Sequence, residues 1–423
     1  TSFPANVLMS AEAEIRRRIH QKGPITFAAF MEIALFWSEG GYYLSQEPFG
    51  ASGDYYTSPL VHPAFGALLA VQLLQMWRLM GRPNPFQVVE MGAGNGMLCR
   101  DIISYVQHLS PEFQRSLCYV CHDRRACSGA EKGLSNTSRI VTFNVPLRGV
   151  KGCFLSNEFL DSFPIHQVRK QQGRLQEVYV ALESDEFVEV LGEPSASELV
   201  LRLECLGIEL VEGQTVEINL GLDQWAEEVA SALESGVVLT VDYGHSATQL
   251  YSAEVRPRGT LTTYYRHTQT DAPFRRIGQQ DMSAHVDFTS VINAGSRAGL
   301  EPMGLTTQGR FLHNLGLGRF LPRLPTLGLS NRESQANRAG LVDLARAGGL
   351  GDFKVLIQAK NVGQPRLWGL QHSDEAANLI DDLPVPLLTP QHLSLLEGRY
   401  PQAEYEVELE DLWPQTDDLD IDS

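Results

Sequence analysis

"VVEMGAGNGM", residues 88–97, decides how this chain is read. An apolar, strand-like run ends in a carboxylate, Glu90, and glycines follow at positions 92, 94 and 96. Glycine takes left-handed backbone without strain and lets a ligand approach the main chain closely. The amphipathic run "MLCRDIISYVQHL" (97–109) comes next, so a helix N-terminus opens directly after the turn. In an open α/β sheet this is where a ligand lies, at the carboxyl ends of the strands and against free N–H groups.

Working outward, "CYVCHD" (118–123), "RIVTF" (139–143) and "GCFLSNEF" (152–159) read as further strands in a βαβ rhythm, which predicts a parallel sheet. The pattern changes at 166–222. There "HQVRKQQGRLQEVYVAL", "EFVEVL" and "GQTVEINLG" alternate with period two around turns at Gly173 and Asp185, which predicts an antiparallel insertion. Strand–helix order returns with "LDQWAEEVASALESG" and "VVLTVDYGH". A long loop over 245–285, a helix near 287–298 and strands at "EPMGLTT" and "DFKVLIQAK" (352–360) follow. Ahead of the sheet, residues 1–85 read as helical and loop-rich. "AEAEIRRRIHQKG" is closed by Gly23, "TFAAFMEIALF" has Thr26 as its N-cap, and "FGALLAVQLLQMW" (65–77) is a core-facing helix broken by Gln72 and Gln75. The expected fold is therefore α/β and Rossmann-like, with a mostly parallel seven-stranded sheet. Its expected parts are a helical N-terminal region (1–85), a catalytic unit (86–363) carrying the 166–222 insertion, and an acidic C-terminal extension (364–423).

The net charge of −17 is unevenly placed. From Trp368 to Ser423 there are 14 acidic residues against Arg399 alone, a net of −13, which leaves −4 for the other 367 residues. A solvated tail accounts for that run, although Leu, Tyr and Trp within 373–413 could dock on the body. No basic stripe concentrates charge for nucleic acid, and no run of about 18 apolar residues is available to span a membrane. Cys118 and Cys121 mimic a metal-binding CxxC, but residues three apart on a strand point to opposite faces, so no zinc site is expected. Scattered, mostly apolar-flanked cysteines point to reduced thiols in a cytosol-like compartment. The chain begins at Thr1 without a signal-peptide pattern, which is compatible with a leader already removed.

Two ligands compete for the glycine turn. The dinucleotide fingerprint G-x-G-x-x-G needs its third glycine one residue later, and Glu90 would repel a pyrophosphate. G-x-G-x-G after an acid resembles the pattern of S-adenosylmethionine methyltransferases, whose donor carries an ammonium and a sulfonium and no phosphate. Asp123, ending the next strand, is placed for the ribose hydroxyls, with His122 one register away. Groups for the methyl acceptor are expected after the fourth strand, in "SNEFLDSFP" (156–164): Asn157, Glu158 and Asp161. Two carboxylates beside a methyl donor suit a guanidinium, whose planar fork pairs with them. His285 is a candidate proton acceptor, and Asp242 and Tyr243 end the fifth strand on the acceptor side.

The segments "GPITFAAFMEIALF", "GGYY", "GDYYTSP", "FGALLA", "VVEMGAGNGML", "SNEFLDSFPIHQV", "VDYG", "GTLTTYYRH", "GQQDMSAHVDFT" and "TTQGRFL" occur in the order found in the MidA family, and the resemblance runs over residues 6–361. The family is one of S-adenosylmethionine-dependent methyltransferases that includes a protein-arginine methyltransferase of mitochondrial complex I assembly. The resemblance implies that Gly53, Asp54, Thr57, Ser58 and Pro59 lie near the donor. It implies that Glu90, Gly92, Gly94 and Gly96 wrap the donor, that Asp123 meets its ribose, and that Asn157 and Glu158 face the reacting methyl. His285 and Asp287, with Tyr265 and Arg266, come to the acceptor mouth, and the implied partner is a respiratory-complex protein. A donor-binding assembly chaperone with little turnover, or an enzyme acting on a small metabolite, are the competing functions. Oligomeric state is not legible.

Overall fold

The computed structural model describes residues 10–45, 57–125, 134–265 and 268–392. Gly53, Asp54 and Arg266, singled out from the sequence, lie outside them. Two helices open the chain, α1 (Ala11–Lys22) and α2 (Phe27–Phe36). Gly23 closes α1 at φ 82°, and the Thr26 side chain caps α2 by accepting the Ala29 N–H, as the sequence suggests. A third helix, α3 (Ala64–Leu79), is buried on every side from Ala64 to Trp77.

The main sheet has seven strands: β1 (Phe86–Met91), β2 (Leu117–Asp123), β3 (Thr137–Val141), β4 (Val150–Asn157), β5 (Leu233–Asp242), β6 (Glu301–Thr307) and β7 (Lys354–Lys360). Their spatial order is β6-β7-β5-β4-β1-β2-β3. Only β7 runs antiparallel to its neighbours. The order reverses between β1 and β4, and such a switch point opens a crevice at the strands' carboxyl ends. Alternation along β1 sends Val88 into the layer shared with α3 and with α4 (Met97–Val106). Val89 and Met91 go into the layer shared with α5 (Gly221–Ala232) and α6 (Phe288–Arg297).

The insertion is antiparallel, as the alternation requires. Arg174–Glu183 pairs along one edge with Glu186–Gly192, and along the other with His166–Gln171, which in turn pairs with Thr215–Ile218. Its two-residue turns have positive φ at both positions, 52° and 74° at Gln172 and Gly173 and 50° and 70° at Ser184 and Asp185, the hand that matches strand twist. Three features depart from the sequence reading. Ile25–Thr26 adds a short strand to this sheet, in a region read from the sequence as helices and loops. A helix at Ser197–Leu206 sits inside the insertion, with Leu199 and Leu203 turned inward and left-handed Gly207 ending it. The 245–285 loop carries a three-stranded antiparallel sheet of Thr262–Tyr265, Thr268–Thr270 and Asp281–Ser283.

The boundary at 364 does not coincide with a packing boundary. Gln72 and Gln75, the polar breaks in α3, hold the chain there: their side-chain oxygens accept the N–H groups of Gly369 (2.8 Å) and Trp368 (2.9 Å). Leu367, Ile380 and Leu383, the last two from helix α7 (Asp374–Asp382) and its end, join the core that covers α3. Ile380→Ala is therefore expected to cost about 2–5 kcal/mol in urea unfolding, the range for a truncated core side chain. A loss below about 0.5 kcal/mol would make α7 a surface appendage.

Candidate active site

A cavity of about 620 Å³ opens where the topology predicts, at the carboxyl ends of β1, β2 and β4, with α2 and α5 as further walls. That volume falls within the roughly 300–1,000 Å³ of small-molecule sites. The glycine turn forms one side. Gly92, Gly94 and Gly96 all have positive φ, 71°, 48° and 75°, and Gly96 caps α4. A Cβ on Gly92 would stand 2.6 Å from the Phe159 ring. The turn is tied to the next strand, since the N–H of Gly92 donates to the His122 carbonyl (2.9 Å).

The carboxylate of Asp123 accepts the N–H of Gly94 (2.8 Å) and of Arg125 (3.0 Å), and it lines the cavity. His122 also reaches the wall, with its Nε2 2.9 Å from the Asn144 carbonyl, so that nitrogen carries the proton. Of the two registers left open by the sequence, only Asp123 therefore brings a carboxylate to this wall. Glu90 corrects another expectation. It shares the face of Val88 rather than that of Met91, is buried, and accepts the Tyr119 hydroxyl at 2.8 Å. It does not line the cavity.

Opposite the glycines stands the segment after β4. Glu158 has φ 49°, rare for a residue with a side chain, and such strain collects at functional sites. Asn157 donates its amide to Glu158 Oε1 (2.9 Å), and a backbone hydrogen bond comes from Ser58. Burial and the nearby Asp161 carboxylate still raise the Glu158 pKa to about 8. Asp161 is buried and raised to about 6 by desolvation, partly offset by the Tyr243 hydroxyl, which donates to its Oδ2. Asp161 Oδ1, Asn157 Oδ1 and the indole Nε1 of Trp225 are buried without a hydrogen-bond partner among the described residues. Asp161 and Trp225 are both in the cavity wall, so donor and acceptor atoms are left there for a ligand. The wall carries Glu32, Asp123, Glu158, Asp161 and Glu228 against Arg124 and Arg125, a balance suited to a cationic ligand.

The raised pKa of Glu158 has a signed consequence for stability. The unfolded chain loses this proton near pH 4.5 and the folded chain near 8, so stability falls as pH rises across that window. The whole cost is present above it. Glu158→Gln, which never ionises, is expected to raise Tm over wild type more at about pH 9 than at about pH 5. An equal difference at both would show that Glu158 titrates normally.

Other expected residues fall elsewhere. His285 is half-buried behind Tyr243, ring centroids 5.4 Å apart, and is absent from the cavity wall. Desolvation, with His245 and Arg256 nearby, lowers its pKa to about 4. Asp287 caps α6, accepting the N–H groups of Thr289 and Ser290. Tyr265 stacks under the Arg276 guanidinium. Thr57 lines the cavity, whereas Ser58 is buried against Gln308 and Pro59 is buried in the following turn. Neither Asn157 nor Gly96 lines it directly. The sequence reading missed Trp225 and Tyr43 as cavity residues; both line it, and Tyr43 is buried near the Asp281 and Asp161 carboxylates. Tyr43 stands in the quoted "GGYY", the one signal that could have found it. Among the described residues no group of three metal-ligating side chains forms, and no helix is long and apolar enough to cross a membrane.

Comparison with known proteins follows the same line. Residues 68–306 match the family model for S-adenosyl-L-methionine-dependent methyltransferases of the Methyltransf_28 type. The mitochondrial protein arginine methyltransferase NDUFAF7 homolog of Drosophila melanogaster is 27% identical over 338 residues, covering 72% of this chain and 75% of that protein. The Homo sapiens protein arginine methyltransferase NDUFAF7 is 28% identical over 334 residues, covering 71% and 72%. A crystal structure of a COG1565 superfamily member from Burkholderia thailandensis, bound to S-adenosyl-homocysteine, superposes with a TM-score of 0.76 at 26% identity, covering 87% of this chain and 97% of that one.

Proposed function

Since the chain belongs to the MidA family of S-adenosyl-L-methionine-dependent methyltransferases, we propose that it methylates an arginine side chain of a protein. The glycine turn, Asp123 and Trp225 would hold the donor. Bound, the donor supplies an electrophilic methyl on a sulfonium. The observation that carries the acceptor reading is the pair Glu158 and Asp161, which share the cavity with the glycine turn, one Asp161 oxygen having no hydrogen-bond partner among the described residues. A guanidinium bridges two such carboxylates, whereas an ammonium makes less use of a planar arrangement.

Arginine does not give up its proton in advance, so orientation and charge placement carry the reaction. Glu158 and Asp161 fix the guanidinium plane so that one nitrogen points along the bond to be broken. With a bound donor, the N–CH3 bond would form as the S–CH3 bond broke with its electron pair left on sulfur, and Glu158 would accept the proton that the nitrogen sheds. In the empty site near neutral pH Glu158 is largely protonated, and the arriving cation draws that proton off. The relatives named above are mitochondrial protein arginine methyltransferases. By that likeness the acceptor is a protein, a respiratory-complex subunit in the resemblance, and the compartment is the mitochondrial matrix in a eukaryote or the cytoplasm otherwise.

The test is transfer of labelled methyl from S-adenosylmethionine to arginine peptides and to the same peptides with lysine, located by mass spectrometry. Methylation confined to arginine supports the reading. Equal transfer to lysine, or transfer only to small metabolites, would sink it. Donor binding without transfer to any of these acceptors would favour an assembly chaperone.

A further inference from the structure

Asp242, the last residue of β5, is fully buried and outside the cavity wall. Its carboxylate nevertheless reaches the neighbouring segment after β4. Oδ2 accepts the N–H groups of Phe159 (3.1 Å) and Leu160 (2.9 Å), and Oδ1 accepts the N–H of Tyr243 (2.9 Å). On the other side of the same turn, the N–H of Glu158 donates to the Val241 carbonyl at 2.8 Å. The peptide groups flanking Glu158 are thus fastened to the end of β5, and the Phe159 ring rests against Gly92.

This matters because Glu158 is left-handed. A side-chain-bearing residue held there is strained, and the conformation persists only where its surroundings over-determine it. A buried carboxylate is also unfavourable. Burial and the charges of Asp161 and Glu158 all push the Asp242 pKa up. An apolar residue here would avoid that cost but would leave two backbone N–H groups of the turn without their acceptor. Asparagine would supply one oxygen and turn an NH2 toward a backbone donor.

We propose that Asp242 is a positioning residue: by anchoring the N–H groups of Phe159 and Leu160 it holds Glu158 in its left-handed conformation and aims its carboxylate at the methyl acceptor. The inference rests on the assignment of Glu158 above. Asp242 touches neither donor nor acceptor and acts only through Glu158, so the two residues are one unit in transfer and separable in donor binding.

The experiment is a double-mutant cycle of Asp242→Asn and Glu158→Gln, with kcat and KM read separately on the arginine peptide methylated above and donor affinity read by calorimetry. Asp242→Asn is expected to lower kcat by about 10- to 100-fold, the cost of a misplaced group, with donor affinity within about threefold of wild type. In the Glu158→Gln background it should cost less than about twofold, because both changes disable the same group. Wild-type kcat in folded Asp242→Asn, or losses that multiply in the double variant, would overturn the proposal. If Asp242→Asn does not fold, Asp242→Ser, which keeps one acceptor oxygen, takes its place, and failure of both to fold would make Asp242 a folding residue and overturn the positioning role. Full transfer by Glu158→Gln alone would instead remove the reading of Glu158 on which the inference stands.

Discussion

Glu158→Gln is expected to slow methyl transfer by about 10²- to 10³-fold, the scale for removing one preorganised electrostatic partner of a reaction, while leaving donor affinity unchanged. Gln keeps the size and one acceptor oxygen, so the amide of Asn157 retains a partner. What disappears is the negative charge and the group that takes the nitrogen's proton. The loss should fall on kcat, because the charge matters most as the second positive centre approaches. Single-turnover transfer to an arginine peptide, with calorimetry of S-adenosylmethionine alongside, checks both halves. A variant that transfers at the wild-type rate would exclude Glu158 from the chemistry, and one that fails to bind donor would move it into the donor site. In wild type, kcat/KM for a cationic acceptor should also rise with pH through about 8, where Glu158 of the empty site is half ionised, and level off above it.

Gly94→Val is expected to weaken donor binding by at least about 100-fold. Two effects add. Gly94 has φ 48°, and a β-branched residue in that region costs about 1–3 kcal/mol, so the turn opens or shifts. The isopropyl group also enters a wall of the cavity that glycine leaves bare. The Gly94 N–H would be displaced from Asp123, so the ribose side loosens with it. Calorimetry with S-adenosylmethionine reads the affinity, and circular dichroism reports whether the sheet survives. Unchanged affinity in a folded variant would remove the glycine turn from the donor site.

The two residues tested here were legible for different reasons. Gly94 belongs to a pattern written within ten residues, because a tight turn after a strand constrains its own backbone and little else can satisfy it. Glu158 was legible only as an acid at the end of a strand. Its left-handed backbone is flanked by hydrogen bonds to β5, more than eighty residues along the chain, and its raised pKa comes from burial and from Asp161. His285 shows the opposite outcome. It belongs to a segment that carries the family resemblance, yet it packs on Tyr243 and is absent from the cavity wall. A motif fixes which residues travel together along the chain, not which of them face the ligand.

From the sequence alone came the order of the main-sheet strands, the hairpin turns of the insertion, the glycine turn, and Asp123 at the end of β2. All of these follow from hydrophobic period and backbone preference, which act over a few residues. Tertiary structure decided what depends on distant partners. Glu90 faces Tyr119 and not the cavity, because which side of β1 meets the ligand is set by the helices packed on each face. Trp225 lines the cavity because α5 crosses beside the segment after β4. The chain after residue 364 folds back on α3 because Gln72 and Gln75 offer it hydrogen bonds inside an apolar layer, where an unpaired backbone N–H would be costly.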